Sequence, residues 1–293
     1  MILGIPFDGG IRMMERFGRG IVGACDGPEA ILTRLKDATY EILDLSEYQL
    51  KVTNDRRDNP IAVQEDNETI IAAHSQIEKA AERFSTEGRL ISVGGDHSIT
   101  YPLVKGVCKV HNGKKIGMIY IDAHFDLRPL ETHVGVPGLI SSGNPFFRII
   151  EDPDIPVFPE NMLAIGIHHS DTPIFNKMRQ YAESKDMTII YNREAAEIGK
   201  FEDTVGLVLD GVDGLYMSLD IDAVSGIRGV SAPASVGISR EVWLHLVQMI
   251  IGTGKVIGVD LVETSSLGSA VVDDDTVQLA CDTIRTIRAP LTH

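Results

Sequence analysis

The chain has 293 residues, 43% apolar and 24% charged, and carries a formal charge of −15. This composition excludes a disordered chain, a collagen and a disulfide miniprotein, and supplies enough apolar material for a sizeable core. Such an excess of acid argues against nucleic acid or anionic lipid as a partner, since both need a cationic footprint. The length fits one large α/β domain spanning 1–293 better than two joined domains.

In chain order, short β-rich apolar runs alternate with amphipathic stretches. Strands are predicted at residues 1–7 and 41–45, followed by a polar loop at 54–59 (NDRRDN). A helix is predicted at 66–84, with Ile70, Ile71, Ala73, Ile77, Ala80 and Ala81 on one face. Strands follow at 89–93 and 115–121, then a Gly-, Pro- and Ser-rich stretch at 127–154 without clear periodicity. Loops that long are usually functional or disordered. Further strands are predicted at 161–168, 187–191, 214–219 and 255–262. A helix at 239–251 opens on Ser239 as N-cap and carries Val242, Leu246, Val247 and Ile250. The last helix, 274–287, brings Val277, Ala280, Cys281 and Ile284 to one side. Several strands are apolar nearly throughout, as strands buried on both faces should be. The alternation points to βαβ units and a parallel sheet with helices on both faces.

Cys25, Cys108 and Cys281 are odd in number, widely spaced and form no C-x-x-C pattern, which speaks against a disulfide framework or a thiolate zinc site. No apolar run approaches the roughly 18 residues of a membrane span. The opening MILGIPFDGG lacks a basic region and a long apolar core. The expectation is a soluble, cytoplasmic protein with no membrane partner.

Ligands of open parallel sheets bind outside the carboxyl ends of the strands. Residues 89–93 are followed by Gly94-Gly95-Asp96-His97-Ser98, and 115–121 by Asp122-Ala123-His124-Phe125-Asp126. Residues 214–219 are followed by Asp220-Ile221-Asp222, and 255–262 by Glu263. Side chains at i, i+2 and i+4 of an extended segment share a face. Asp122, His124 and Asp126 can therefore converge, as can Asp220 and Asp222. With His97 they make an oxygen-rich set of two His and four Asp without thiolate. That set suits two divalent metals of the Mn²⁺ type, with Zn²⁺, Ni²⁺ or Co²⁺ as alternatives. Four carboxylates cancel two dications; without metal they repel one another. Each motif alone has a plain explanation, since Asp often caps helices or turns. Together at successive strand ends they have no such explanation, because unpaired carboxylates there are costly.

GGDHS, DAHFD and SLDID, in that order, resemble the ureohydrolases: arginase, agmatinase and formimidoylglutamase. GIPFD…GPEAI near the start and DLVE near the end extend the resemblance over nearly the whole chain. It implies a three-layer α/β fold with a mostly parallel eight-stranded central sheet, and a homo-oligomer, often built from trimers. Carried over, the metal ligands fall on His97, Asp122, His124, Asp126, Asp220 and Asp222, and the substrate-contacting glutamate on Glu263. The family hydrolyses a C–N bond of a guanidinium or formimino group. The resemblance implies that Asp126 takes the proton of the attacking water and helps return it to the leaving amine. Glu263 would hold the cationic amidine by charge-assisted hydrogen bonds.

Within the family, DAHFDLR, SGNPFFR and GVSAP resemble the formimidoylglutamase branch. Arginases tend to have Thr after this His and Asn two places after the second Asp. Arginases and agmatinases usually carry a histidine in the region where Ser142 or Phe146 stands here. N-formimidoyl-L-glutamate bears two carboxylates, which guanidinium can clamp bidentately. Arg128, Ser142, Asn144, Arg148 and Glu263 are accordingly the expected substrate contacts, with Arg228 nearby and His133 in the same long loop. The chain departs from the family at Ala223-Val224-Ser225-Gly226, Ile227-Arg228 and Thr264-Ser265-Ser266, within and beyond an altered loop at 223–237. The expected activity is hydrolysis of N-formimidoyl-L-glutamate to L-glutamate and formamide. The alternatives are a guanidino hydrolase releasing urea and a catalytically silent metal-binding paralogue.

Overall fold

The structure, a computed structural model, describes residues 1–290 apart from 52, 195–197, 235 and 270. In chain order the strands are β1 (Ile2–Ile5), β2 (Tyr40–Ile42), β3 (Leu90–Gly94), β4 (Ile116–Ile121), β5 (Glu131–His133), β6 (Val136–Leu139), β7 (Val157–Ile167), β8 (Thr188–Tyr191), β9 (Gly214–Asp220) and β10 (Val256–Val262). The helices are α1 (Gly9–Glu15), α2 (Gly27–Leu32), α3 (Asn54–Arg57), α4 (Pro60–Thr86), α5 (Thr100–Val110), α6 (Pro145–Glu151), α7 (Pro173–Ser184), α8 (Ile198–Leu209), α9 (Arg240–Gly252) and α10 (Asp274–Arg288).

Eight strands form one sheet in the order β2-β1-β3-β10-β9-β4-β7-β8, and every pairing in it is parallel. Each of the eight predicted strand segments supplies one of its strands. The central strands are buried along their whole length, which is why they read as continuous apolar runs. Alternate residues still face opposite layers. Ile119 and Ile121 of β4, with Leu215, Met217 and Leu219 of β9, pack into a core shared with α2, α8, α9 and α10. Met118 and Tyr120 of β4, with Tyr216 of β9, pack into a second core with α4, α5, α6 and α7. Helices on both faces of the sheet complete the three layers.

The predicted helices form with small shifts. α4 begins at Pro60 rather than at 66, because the Asn59 side chain caps it, accepting from the amides of Ile61 at 3.0 Å and Ala62 at 3.3 Å. Ser239 caps α9 by accepting from the Val242 amide. Two segments read as loops contain structure. Residues 54–59 hold the one-turn α3. Residues 127–154 hold the β5–β6 hairpin and α6, elements too short to show a period. Among the described residues, no helix is long and apolar enough to cross a membrane.

Trp243, the single tryptophan, is fully buried between α9 and α10, and its Nε1 donates to Thr283 Oγ1 at 2.8 Å. Trp243→Ala is expected to cost about 3–5 kcal/mol of unfolding free energy through the cavity it leaves. Urea denaturation checks this, and a loss below about 1 kcal/mol would show that this layer does not unfold with the rest.

Candidate metal centre

The chemistry-bearing residues converge because β3, β10, β9 and β4 are adjacent and all point the same way. His97 follows β3, Asp122 to Asp126 follow β4, Asp220 ends β9 and Glu263 follows β10. Two groups of donors result. His97, Asp122, Asp126 and Asp220 form one, and Asp122, His124 and Asp222 form the other; within each, the ligand atoms lie within 4.8 Å of one another. His97 Nδ1 sits 3.3 Å from Asp122 Oδ2, 3.0 Å from Asp126 Oδ2 and 3.2 Å from Asp220 Oδ2. His124 Nδ1 sits 3.0 Å from Asp222 Oδ2 and 3.6 Å from Asp122 Oδ1.

All six expected ligands thus come together, but not as an extended strand would deliver them. Asp126 adopts a φ of +45°, which turns its carboxylate to the His97 side and leaves His124 to the other group. Asp222 lies on a 3-10 turn (Ile221–Ala223), so it and Asp220 serve different groups. Asp122 belongs to both.

The donors fit a pair of divalent cations. His97 Nδ1 and Asp122 Oδ2 are buried with no hydrogen-bond partner, a costly state that a coordinated cation relieves. When bound, such cations supply Lewis-acid chemistry, making water acidic enough to act as a nucleophile near neutral pH.

Beneath the centre runs a polar row in register across the sheet: Ser92 on β3, Asp260 on β10, Ser218 on β9 and Tyr120 on β4. Asp260 accepts from Ser218 Oγ at 2.6 Å and from the Tyr216 hydroxyl at 2.7 Å. The Ser218 hydroxyl donates its hydrogen bond to Asp260, so its oxygen accepts from His97 Nε2–H at 3.0 Å. This makes Nδ1, which faces the carboxylates, the nitrogen that gives up its proton when a cation binds, the tautomer such a cation needs. Phe146 packs edge-on against the His97 ring, 5.1 Å between centroids. Glu263, at φ +68°, is clasped to the loop after β3: its amide donates to Gly95 O and its Oε1 accepts from the His97 amide, both at 2.8 Å.

Burial sets the protonation of this cluster in the absence of metal. It works against the charged form of His97, but attraction to the facing carboxylates of Asp122, Asp126 and Asp220 outweighs it and holds the imidazole well above its ordinary range. His124 is likewise raised by Asp222 and Asp122 despite burial. Burial, then repulsion from Asp222 and Asp122, drives the Asp220 carboxyl well above the usual range. Asp122 runs the other way: burial works against its charge, but attraction to His124 and His97 overcomes it and brings the carboxyl down to about 2. Burial pushes Asp96 up to about 6. Burial and the nearby Asp96 push Glu263 up to about 8.

The centre opens onto a cavity of about 330 Å³. His124, Asp126, Asp220, Asp222 and Glu263 line it together with Arg128 and Ser142. The structure does not bring Asn144 and Arg148 to it. Asn144 is fully buried and staples the loop behind Ser142, accepting from the Ser141 amide and donating to Leu139 O, each at 3.0 Å. Arg148 points into the second core: its guanidinium stacks 3.7 Å over Tyr101 and bonds His74 Nδ1 at 3.0 Å. Burial lowers its pKa to about 10. Of the two candidates for the missing histidine's place, Ser142 faces the cavity and Phe146 lies in the core. Arg228 is exposed, and His133 pairs with Asp58 at 3.0 Å. From the altered loop, Ala232 reaches the cavity wall.

Sequence reasoning missed Ser218, Asp260 and Arg19, the last of which also lines the cavity. An Asp inside the apolar run VIGVDLV was a usable signal, because a strand buried on both faces tolerates a carboxylate only with partners. Arg19 sits in an irregular turn with no comparable signal.

Fold and centre define a hydrolase of C–N bonds, and the chain belongs to the arginase family: the "Arginase family" model matches residues 1–289. It is 27% identical over 269 residues to the formimidoylglutamase of Klebsiella pneumoniae (strain 342), covering 89% of this chain and 77% of that protein. It is 26% identical over 285 residues to the arginase of Bacillus subtilis (strain 168), covering 91% and 90%. The fold matches Trypanosoma cruzi formiminoglutamase, solved with Mn2+2, at a TM-score of 0.73 and 20% identity, over 98% of this chain and 91% of that one.

Two predictions follow from the centre itself. Ser218→Ala frees the His97 tautomer and should weaken divalent-metal affinity about 10–100-fold. Competition with a fluorescent chelator measures it; wild-type affinity would remove the tautomer argument. In metal-free protein, the raised groups bind protons that the unfolded chain has released, from about pH 5 to about pH 8, so stability falls as pH rises. The urea midpoint should drop across that window, and Glu263→Gln should shallow the drop; a flat or rising midpoint contradicts the proton-holding cluster.

Proposed function

We propose that this chain hydrolyses N-formimidoyl-L-glutamate to L-glutamate and formamide, using two divalent cations of the Mn²⁺ type held by His97, Asp122, His124, Asp126, Asp220 and Asp222. One observation carries the reading. The same cavity is lined by Glu263, whose Oε2 is buried and unpartnered, and by Arg128, whose Nη1 is buried and unpartnered. An unsatisfied carboxylate oxygen calls for a cation and an unsatisfied guanidinium nitrogen for an anion. A formimidoyl amino acid carries both charges in one small molecule.

In this reading Glu263 orients the amidinium through Oε2 while Oε1 stays on the His97 amide. Asp126, partly open to the cavity, takes the proton of the attacking water and returns it to the leaving nitrogen. Arg128 and Ser142 receive carboxylate. A guanidino substrate is the second reading, because the arginase relative is almost as similar as the formimidoylglutamase.

The test is a panel of formimidoylglutamate, agmatine and arginine, with formamide and urea measured in parallel. Formamide from the first and no urea are expected. Urea with formimidoylglutamate inert moves the assignment to the guanidino branch; two bound metals with no turnover favours a silent paralogue. Asp126→Asn should lower kcat about 10²–10⁴-fold, with metal occupancy measured on the same samples. A wild-type kcat at full occupancy would remove Asp126 from proton transfer.

A further inference from the structure

The arginine side of the cavity holds a second guanidinium. Arg19 lines the wall with Arg128, and its Nη1 donates to Glu131 Oε1 on β5 at 2.9 Å. Glu131 is not on the cavity wall, and its other oxygen is buried without a partner. Arg128 feels Arg19 as a like charge, and Asp126 and Glu131 as opposite ones. Asp126 belongs to the candidate ligand set, so on this wall two guanidinium groups stand beside one carboxylate outside the centre, that of Glu131.

Backbone geometry keeps both side chains in place. Gly20, at φ +71°, packs so close to Ile11 that an added Cβ would lie 2.3 Å from Ile11 Cδ1. This docks the turn carrying Arg19 against α1. Arg128 runs over Gly143, where a Cβ would lie 2.8 Å from Arg128 Cδ, and its amide donates to Gly143 O at 2.9 Å. Arg19 remains partly open to solvent, 39% exposed, so its guanidinium can change partners without unpacking a core.

We propose that Arg19 selects the substrate and that Glu131 holds it in reserve: a ligand carboxylate arriving beside Arg128 takes Arg19 from Glu131, so the cavity prefers amidines that bear a carboxylate. The inference rests on the amidine-hydrolase reading of the same cavity and adds the residue pair that sets its substrate class. Exchange of one carboxylate for another keeps Arg19 paired throughout, so Glu131 competes with the ligand.

Competition gives a test that a merely structural ion pair would not pass. L-glutamate binding is measured by calorimetry on metal-loaded protein, and KM for formimidoylglutamate on the same preparations. Arg19→Ala should weaken L-glutamate binding and raise KM about tenfold, the weight of a charge-assisted hydrogen bond. Glu131→Gln should do the opposite, tightening binding and lowering KM several-fold. Equal weakening in both variants, no change in either, or no L-glutamate binding by the wild type overturns the proposal. Turnover of formimidoylglutamate with wild-type KM in Arg19→Ala overturns it while leaving the reaction standing. Arg19-dependent L-glutamate binding without turnover of any amidine upholds the selection and removes the reaction.

Discussion

Crowding of carboxylates at the buried end of four adjacent strands is the constraint on which the rest of the molecule depends. Asp122, Asp126, Asp220 and Asp222 lie around two imidazoles, and Glu263 and Asp96 press in from the neighbouring strand ends. Like charges at this density cannot all ionise in a low-dielectric setting. Bound dications or retained protons must balance them, and the two states exchange: metal entry releases protons. Positive φ at Asp126 and Glu263 belongs to the same constraint. Each such backbone costs about 1–3 kcal/mol. The Glu263 clasp to Gly95 O and the His97 amide helps offset that cost.

The sheet makes the crowding tolerable. Alternation sends Ser92, Asp260, Ser218 and Tyr120 to one face, directly under the centre, where an apolar row would have left His97 free to present either nitrogen. Asp260 reaches His97 through Ser218: by accepting the Ser218 hydroxyl it orients that group, and through it fixes the tautomer of His97. Burial of Asp260 is supported by two hydroxyl donors, from Ser218 and Tyr216, which is what a carboxylate inside a strand requires.

Much of this was legible in the sequence, for a physical reason. Strands buried on both faces appear as unbroken apolar runs, so all eight sheet strands could be read, and the His and carboxylates past four of those runs mark the edge where the donor atoms gather. Their division into two groups was not legible, because it depends on the left-handed turn at Asp126 and the 3-10 turn after Asp220. Short elements such as α6 and the β5–β6 hairpin carry too few residues to show a period. Arg148 illustrates a further limit. Its place three residues after Pro145 on α6 puts it one helical turn from the loop that lines the cavity, but the turn aims it at His74 and Tyr101. Proximity in sequence located the neighbourhood, and helix geometry decided the direction.

A chain with a charge of −15 would repel a dicarboxylate at long range. At physiological ionic strength, however, screening confines that repulsion to about 8 Å from each charge. Attraction of an anionic ligand must then come from groups on the cavity wall, within that distance of it. Arg19 and Arg128 are the guanidinium groups on its wall, facing the same space as an acidic centre. Balanced by bound dications or by retained protons, that centre is close to neutral, so the arginines set the sign of the field a ligand meets. The sign of that field therefore rests on Arg19 and Arg128 rather than on the net charge of the chain.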